Sequence, residues 1–160
     1  MAVDMFLKLT GVQGESKDDK HKGELDILAW SWGMSNSGSA HVGGGAGAGK
    51  VNVQDVSITK YIDKASPDLF LACCDGKHFN EAKLTVRKAG ETPLEYLVIT
   101  MNEVLITSVS TGGSGGEDRL TENVSLNFGR VKVEYTEQAE KGGEAAKPKM
   151  GWDIAANKKI

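Results

Sequence analysis

Proline is scarce in this chain, with three in 160 residues. Cysteine is scarcer still, and its two copies, Cys73 and Cys74, are neighbours. Adjacent cysteines cannot staple distant parts of a fold, so a disulfide scaffold is excluded. Free thiols in a reducing compartment are expected, with a vicinal disulfide or a metal role as the alternative. Long apolar runs are missing as well: none approaches the ~20 residues that a spanning helix needs, so no membrane insertion is expected. Nor is there an excess of basic charge. The 19 Lys and Arg are interleaved with 22 Asp and Glu, for a net charge of −3. Phosphate backbones are gripped by clustered Lys and Arg, so nucleic acid is not an expected partner. The opening MAVDMFLKLTGV has no basic leader and carries Asp4, unlike a cleavable export signal. The chain is expected to fold in the cytoplasm and, if it leaves the cell, to leave by another route.

What is abundant is glycine: 20 residues, well above the usual ~7%. They cluster at 43–49 and 112–116 and mark long loops. The length suits one domain, 1–160, with one core. Met5–Leu9 reads as a first strand and Gly11–Gly23 as a polar loop. Glu24–Ser35 reads as one long strand, with Leu28, Trp30 and Trp32 on one face and Ile27, Ala29 and Ser31 on the other. Ser37–Lys50 is an extended glycine-rich loop. Val51–Asp63 returns to strand character, but its apolar parity flips between Val53 and Val56, which suggests a bulge near Gln54-Asp55.

Ser66-Pro67-Asp68 opens the one good helix signal, with Ser66 as cap, Pro67 in the first turn and Asp68 facing the dipole. Gly76 ends it. Strands are then expected at Glu81–Arg87, Leu94–Ser108 and Glu122–Thr136, the last with a second parity flip at Gly129 that a bulge or bend would produce. A polar linker, 137–149, leads to Trp152, which should dock on the body. Many strands and one helix point to an antiparallel barrel or a pair of packed sheets.

Gly44–Lys50, GGAGAGK, matches most of a phosphate-binding loop. That motif also needs a hydroxyl residue after the lysine and a helix starting there. Here Val51 follows and VNVQDVSI alternates like a strand, so no nucleotide cofactor is expected. His21, His41 and His78 lie far apart in sequence without ligand spacing, so no metal is expected. No nucleophile elbow is present, and the chain is not expected to be an enzyme. Lys60–Lys64, KYIDK, and Arg87-Lys88 are read as solvated charge, with an interface between copies as the alternative. Composition and periodicity therefore lead to a mostly β, single-domain chain that is not expected to be an enzyme.

Longer strings add to this. FLKLTGVQGES, HKGELDILAWSWGMS, GGGAGAGKVNVQDVSITKYIDKASP, GKHFNEAKLTVRKAG, EDRLTENVSLNF and GWDIAANK stand in one order across nearly the whole chain. The chain resembles the Hcp family, the tube proteins of the bacterial type VI secretion system. Many relatives have Pro where this chain has Leu120. The resemblance implies two packed sheets forming a small β-barrel with one short flanking helix, akin to phage tail-tube proteins. It implies a homohexameric ring, rings stacked into a tube inside a contractile sheath, a VgrG-type spike at the tip, and export from the bacterial cytoplasm. It also implies that the ring lumen carries small effector proteins. The loop holding Gly43, Gly44, Gly45, Gly47, Gly49 and Lys50 corresponds to the family's extended loop, which reaches the neighbouring ring. Ser31 and Ala29, opposite the tryptophans, are the expected lumen residues; the alternative sets Ser31 against the helix or plain solvent.

Overall fold

A computed structural model describes residues 2–38, 49–139 and 145–160. Gly43, Gly44, Gly45, Gly47 and His41 lie outside the described residues. The elements are β1 (Val3–Leu9), β2 (Leu25–Asp26), β3 (Ala29–Ser31), β4 (Met34–Ser35), β5 (Asn52–Val53), β6 (Val56–Tyr61), α1 (Ser66–Asp75), β7 (His78–Lys88), β8 (Leu94–Gly112), β9 (Thr121–Tyr135), β10 (Lys149–Asp153) and β11 (Lys158–Lys159).

All described pairings are antiparallel. β9, β8, β7 and β1 lie side by side, and β9 is flanked on its other edge by β6 over Thr121–Leu126 and by β10 over Arg130–Glu134. The expected long strand from Glu24 to Ser35 is three short ones. β2 pairs with β1 and β3 with β6; between them the Ile27 N–H donates to the Met5 carbonyl and the Leu28 N–H to the Thr59 carbonyl. The chain thus steps from the edge of β1 to the edge of β6. The step reverses the faces. Ile27 is buried and Leu28 exposed, whereas beyond it Trp30 packs on the core and Ala29 and Ser31 face out.

The alternating apolar positions of the long strands meet in one core. Leu7, Leu9, Ile58, Leu84, Ile99, Met101, Val124 and Leu126 are all buried, as are Leu69 and Ala72 of α1, which packs on β8. Trp152 docks as expected, half-buried against this core and opposite Val131.

One local expectation is corrected and two are sharpened. The parity flip near Gln54 is a one-residue offset: Met34↔Val53 and the Gln54 N–H to the Gly33 carbonyl share one register and Ser31↔Ser57 the next, so residues 54–56 stand opposite Trp32 and Gly33 alone. Ser66 is the first helical residue, not the cap; the Asp63 carboxylate instead accepts the Ala65 N–H, and the Asp63 carbonyl accepts the Ser66 N–H. At Gly129 both strands bend together. Asn102↔Arg130 and Val104↔Phe128 keep one register, while Glu103, opposite Gly129, adopts φ 55°. The buried positions switch parity on both strands there, from Met101 to Val104 and from Phe128 to Val131. The bulge in this hairpin lies further on, at Thr107, the extra residue between the Ile106↔Leu126 and Ser108↔Ser125 pairs. Its hydroxyl donates to Asp55 at 2.6 Å.

Candidate functional site

Ser31 and Ala29 project from a sheet face with a consistent chemistry. Register aligns Ser31 with Ser57, Ser125 and Ser108 across β3, β6, β9 and β8, and aligns Ala29 with Thr59, Asn123 and Ser110 in the next row. All eight are exposed or half-exposed, and none carries charge. The rows are tied laterally: the Thr59 hydroxyl donates to the Asn123 side-chain oxygen at 2.7 Å, and the Ser57 and Ser125 hydroxyls lie 3.5 Å apart. Short hydroxyl and amide side chains leave the face wet, even and without charges that would hold one partner. Ser57, Thr59, Ser108, Ser110, Asn123 and Ser125 escape sequence reasoning, although small uncharged residues at every second position of these strands are a visible signal.

Directly beneath this face, pointing inward, is a buried ion pair. Lys60 and Glu122 face each other on β6 and β9, both fully buried and in direct contact. The ammonium also reaches Asp63 at 3.0 Å and the Ser66 hydroxyl at 3.3 Å, and that hydroxyl donates to Glu122 at 2.7 Å. The solvated reading of KYIDK therefore fails for Lys60, which ties the start of α1 to β6 and β9. Removing one member of such a pair strands the other's charge in a low-dielectric core.

Arg87 is likewise not solvated. The 11–23 loop folds across β1 and β7 and buries it; Arg87 donates to Asp18 at 2.6 and 3.0 Å and to Asp4 at 3.0 Å. Arg87 hydrogen bonds hold the Asp18 carboxyl down to about 2, against the opposing pull of burial. The Arg87 guanidinium is raised above its ordinary value, chiefly by Asp18. Phe6 lies between Arg87 and His21, whose ring stacks on it at 4.3 Å. His21 places Nδ1 2.8 Å from Glu24 and Nε2 2.7 Å from Glu95, so the ring bridges the two side chains.

The remaining candidates are apart. Gly49 and Lys50 lie at the base of the glycine-rich segment, where the Asn36 side-chain amide donates to the Gly49 carbonyl at 2.6 Å. The residues after Lys50 form strand β5, so no helix N-terminus faces a phosphate there. His78 opens β7 in solvent. Cys73 and Cys74 are free thiols, Cys74 exposed. Among the described residues no three His, Cys, Asp or Glu side chains converge as metal ligands.

The family model described as "Type VI secretion system effector, Hcp" matches residues 6–135. The chain belongs to the Hcp family. It is 64% identical over 159 residues to the protein hcp1 of Pseudomonas aeruginosa strain PAO1, covering 98% of each chain. Among solved structures it resembles Hcp1 from Salmonella typhimurium, with a TM-score of 0.83 and 43% identity over 100% of both chains. It also resembles a structure described as a type six secretion system protein, with a TM-score of 0.93 and 31% identity over 99% of this chain and 100% of the other. Hcp proteins are secreted structural proteins of the type VI secretion system rather than enzymes, and this chain shares their mainly β fold with one short helix. The family match spans the whole uncharged face and the base of the glycine-rich loop. The relatives extend the likeness through β10 and β11, so the docked tail is part of the Hcp body.

Proposed function

We propose that six copies of this Hcp protein close into a ring, that rings stack into the inner tube of a type VI secretion system, and that Ser31 and Ala29 line the lumen. One observation carries the lumen reading: the two cross-strand rows around Ser31 form an exposed sheet face without a charged side chain. A channel wall of that kind wets readily and releases what it holds. The glycine-rich segment, with Gly43, Gly44, Gly45, Gly47, Gly49 and Lys50, reaches the next ring from a base fixed by Asn36. The tube is enclosed by a contractile sheath, tipped by a VgrG-type spike and expelled from the bacterial cytoplasm with small effectors in its lumen. The chain acts in this as one domain, 1–160.

Native mass measurement with negative-stain imaging tests the assembly: a ring-sized oligomer is expected, and a persistent monomer at high concentration would overturn it. Ser31→Gln tests the lumen. Intact rings that no longer retain effector are expected, and retention at the wild-type level removes Ser31 from the lumen.

A further inference from the structure

Across the Glu103–Gly129 bend, the outer surface of β7, β8, β9 and β10 changes character. A groove of about 800 Å³ opens there, between the sheet, the 11–23 loop and the C-terminal strands. Lys20, Lys83, Lys132, Lys147, Lys149 and Lys159 all line it. Its acidic residues, among those described, are Glu95 and Glu134, and both are already engaged: Glu95 by His21 at 2.7 Å and Glu134 by Lys149 at 3.6 Å. Lys20, Lys83, Lys132 and Lys159 form no ion pair with any described residue. The whole chain has 19 basic and 22 acidic residues, and the groove's described lining takes six of the former and two of the latter. Positive charge is thus gathered here on a chain that is otherwise more acidic than its net −3.

We propose that this groove docks an acidic, extended segment of a partner protein. Lysines on several strands and on the loop place ammonium groups along an open trough, which suits a run of carboxylates. Val98 and Thr100 lie on the floor between them, and Val98 can take the methylene stems of glutamates. Nucleic acid fits less well. No arginine and no aromatic ring lines the groove among the described residues, which offer bases nothing to stack on, and Glu95 and Glu134 repel a phosphate backbone. The loop wall carrying Lys20 is fixed by Arg87–Asp18 and His21–Glu95, so the trough is built before a partner arrives.

The test is the binding of a fluorescein-labelled oligoglutamate peptide to the full chain, read by anisotropy at rising salt. Binding that weakens with salt is expected. Lys132→Glu with Lys159→Glu should weaken it by about tenfold or more, while Lys64→Glu with Lys77→Glu, equal in charge change but outside the groove, leaves it intact. Lys132→Gln with Lys159→Gln replaces the first pair if reversal lowers the thermal midpoint. Absence of peptide binding, equal loss in the two double variants, or equally tight binding of an oligothymidylate of matched length would each overturn the proposal. So would loss of self-assembly in the groove variant of a chain that binds no peptide, since a second copy would then be the occupant. Ring formation by the wild-type chain is scored separately, so failure here leaves the tube reading untouched.

Discussion

The hairpin of β8 and β9 carries two unlike surfaces on one continuous ladder. On the side of Ser108, Ser110, Asn123 and Ser125, every outward residue of the aligned rows is small and uncharged. Past the bend, the outward positions include Lys132, and the neighbouring strands add Lys83 and Lys149. Both are built on the same pair of strands, one beyond the bulge at Thr107 and the other beyond the bend at Glu103 and Gly129. The bend at Glu103 and Gly129 separates them by swapping the inward and outward parity of both strands together, without changing their register. One strand pair can therefore serve a surface that should hold nothing tightly and a surface that should hold something.

The largest effect should come from the charge hidden beneath the uncharged face. Lys60→Met leaves Glu122 buried without its cation and should cost about 3–5 kcal/mol in urea unfolding. A loss below about 1 kcal/mol would mean that the pair is not desolvated as described. The boundary comes next. Glu103 has a left-handed backbone, which a β-branched residue adopts only under strain. Glu103→Val should therefore destabilise by about 1–2 kcal/mol while Glu103→Gly does not, and equal melting of the two variants would show that the bend is not set there.

The third experiment makes the uncharged face resemble the other. Ser125→Lys should change stability by less than about 0.5 kcal/mol yet reduce effector retention by intact rings; unchanged retention would separate that face from cargo. The smallest effect concerns the loop that walls the basic groove. Asp18 is held at about 2 against an ordinary 3.8, so its tie to Arg87 is fully present above 3.8 and is lost as pH falls towards 2. Hydrogen exchange at Ser16 and Gly23, whose amides bond within the loop region, should quicken over that window. Asp18→Asn should flatten the dependence, and an unchanged profile in that variant would assign the acid response to another group.

Much of this was legible in the sequence. Strand positions, the helix and the bend at Gly129 follow from alternation, Pro67 and a parity flip. The burial of Lys60 was also written there, in the inward parity of Val56, Ile58 and Lys60, and that of Glu122 in the parity of Glu122, Val124 and Leu126. Reading charge as solvated overrode the pattern. What could not be read is non-local. Arg87 sits on the face of β7 opposite Leu84 and Val86 and is buried only because the 11–23 loop crosses it. Likewise, the break of Glu24–Ser35 into short strands depends on where the edges of β1 and β6 lie in space, and the uncharged face depends on the register of strands tens of residues apart.

That crossing at Ile27 and Leu28 bears on how the subunit meets its copies. The middle of each of the edges of β1 and β6, which a self-assembling sheet would otherwise offer, is occupied by the subunit's own chain. In the proposed ring, neighbours are therefore expected to meet through side-chain surfaces or through the peripheral strands, β4–β5 and β10–β11, rather than by extending the central sheet there. A lone subunit awaiting assembly therefore presents little of the open ladder on which uncontrolled fibres grow.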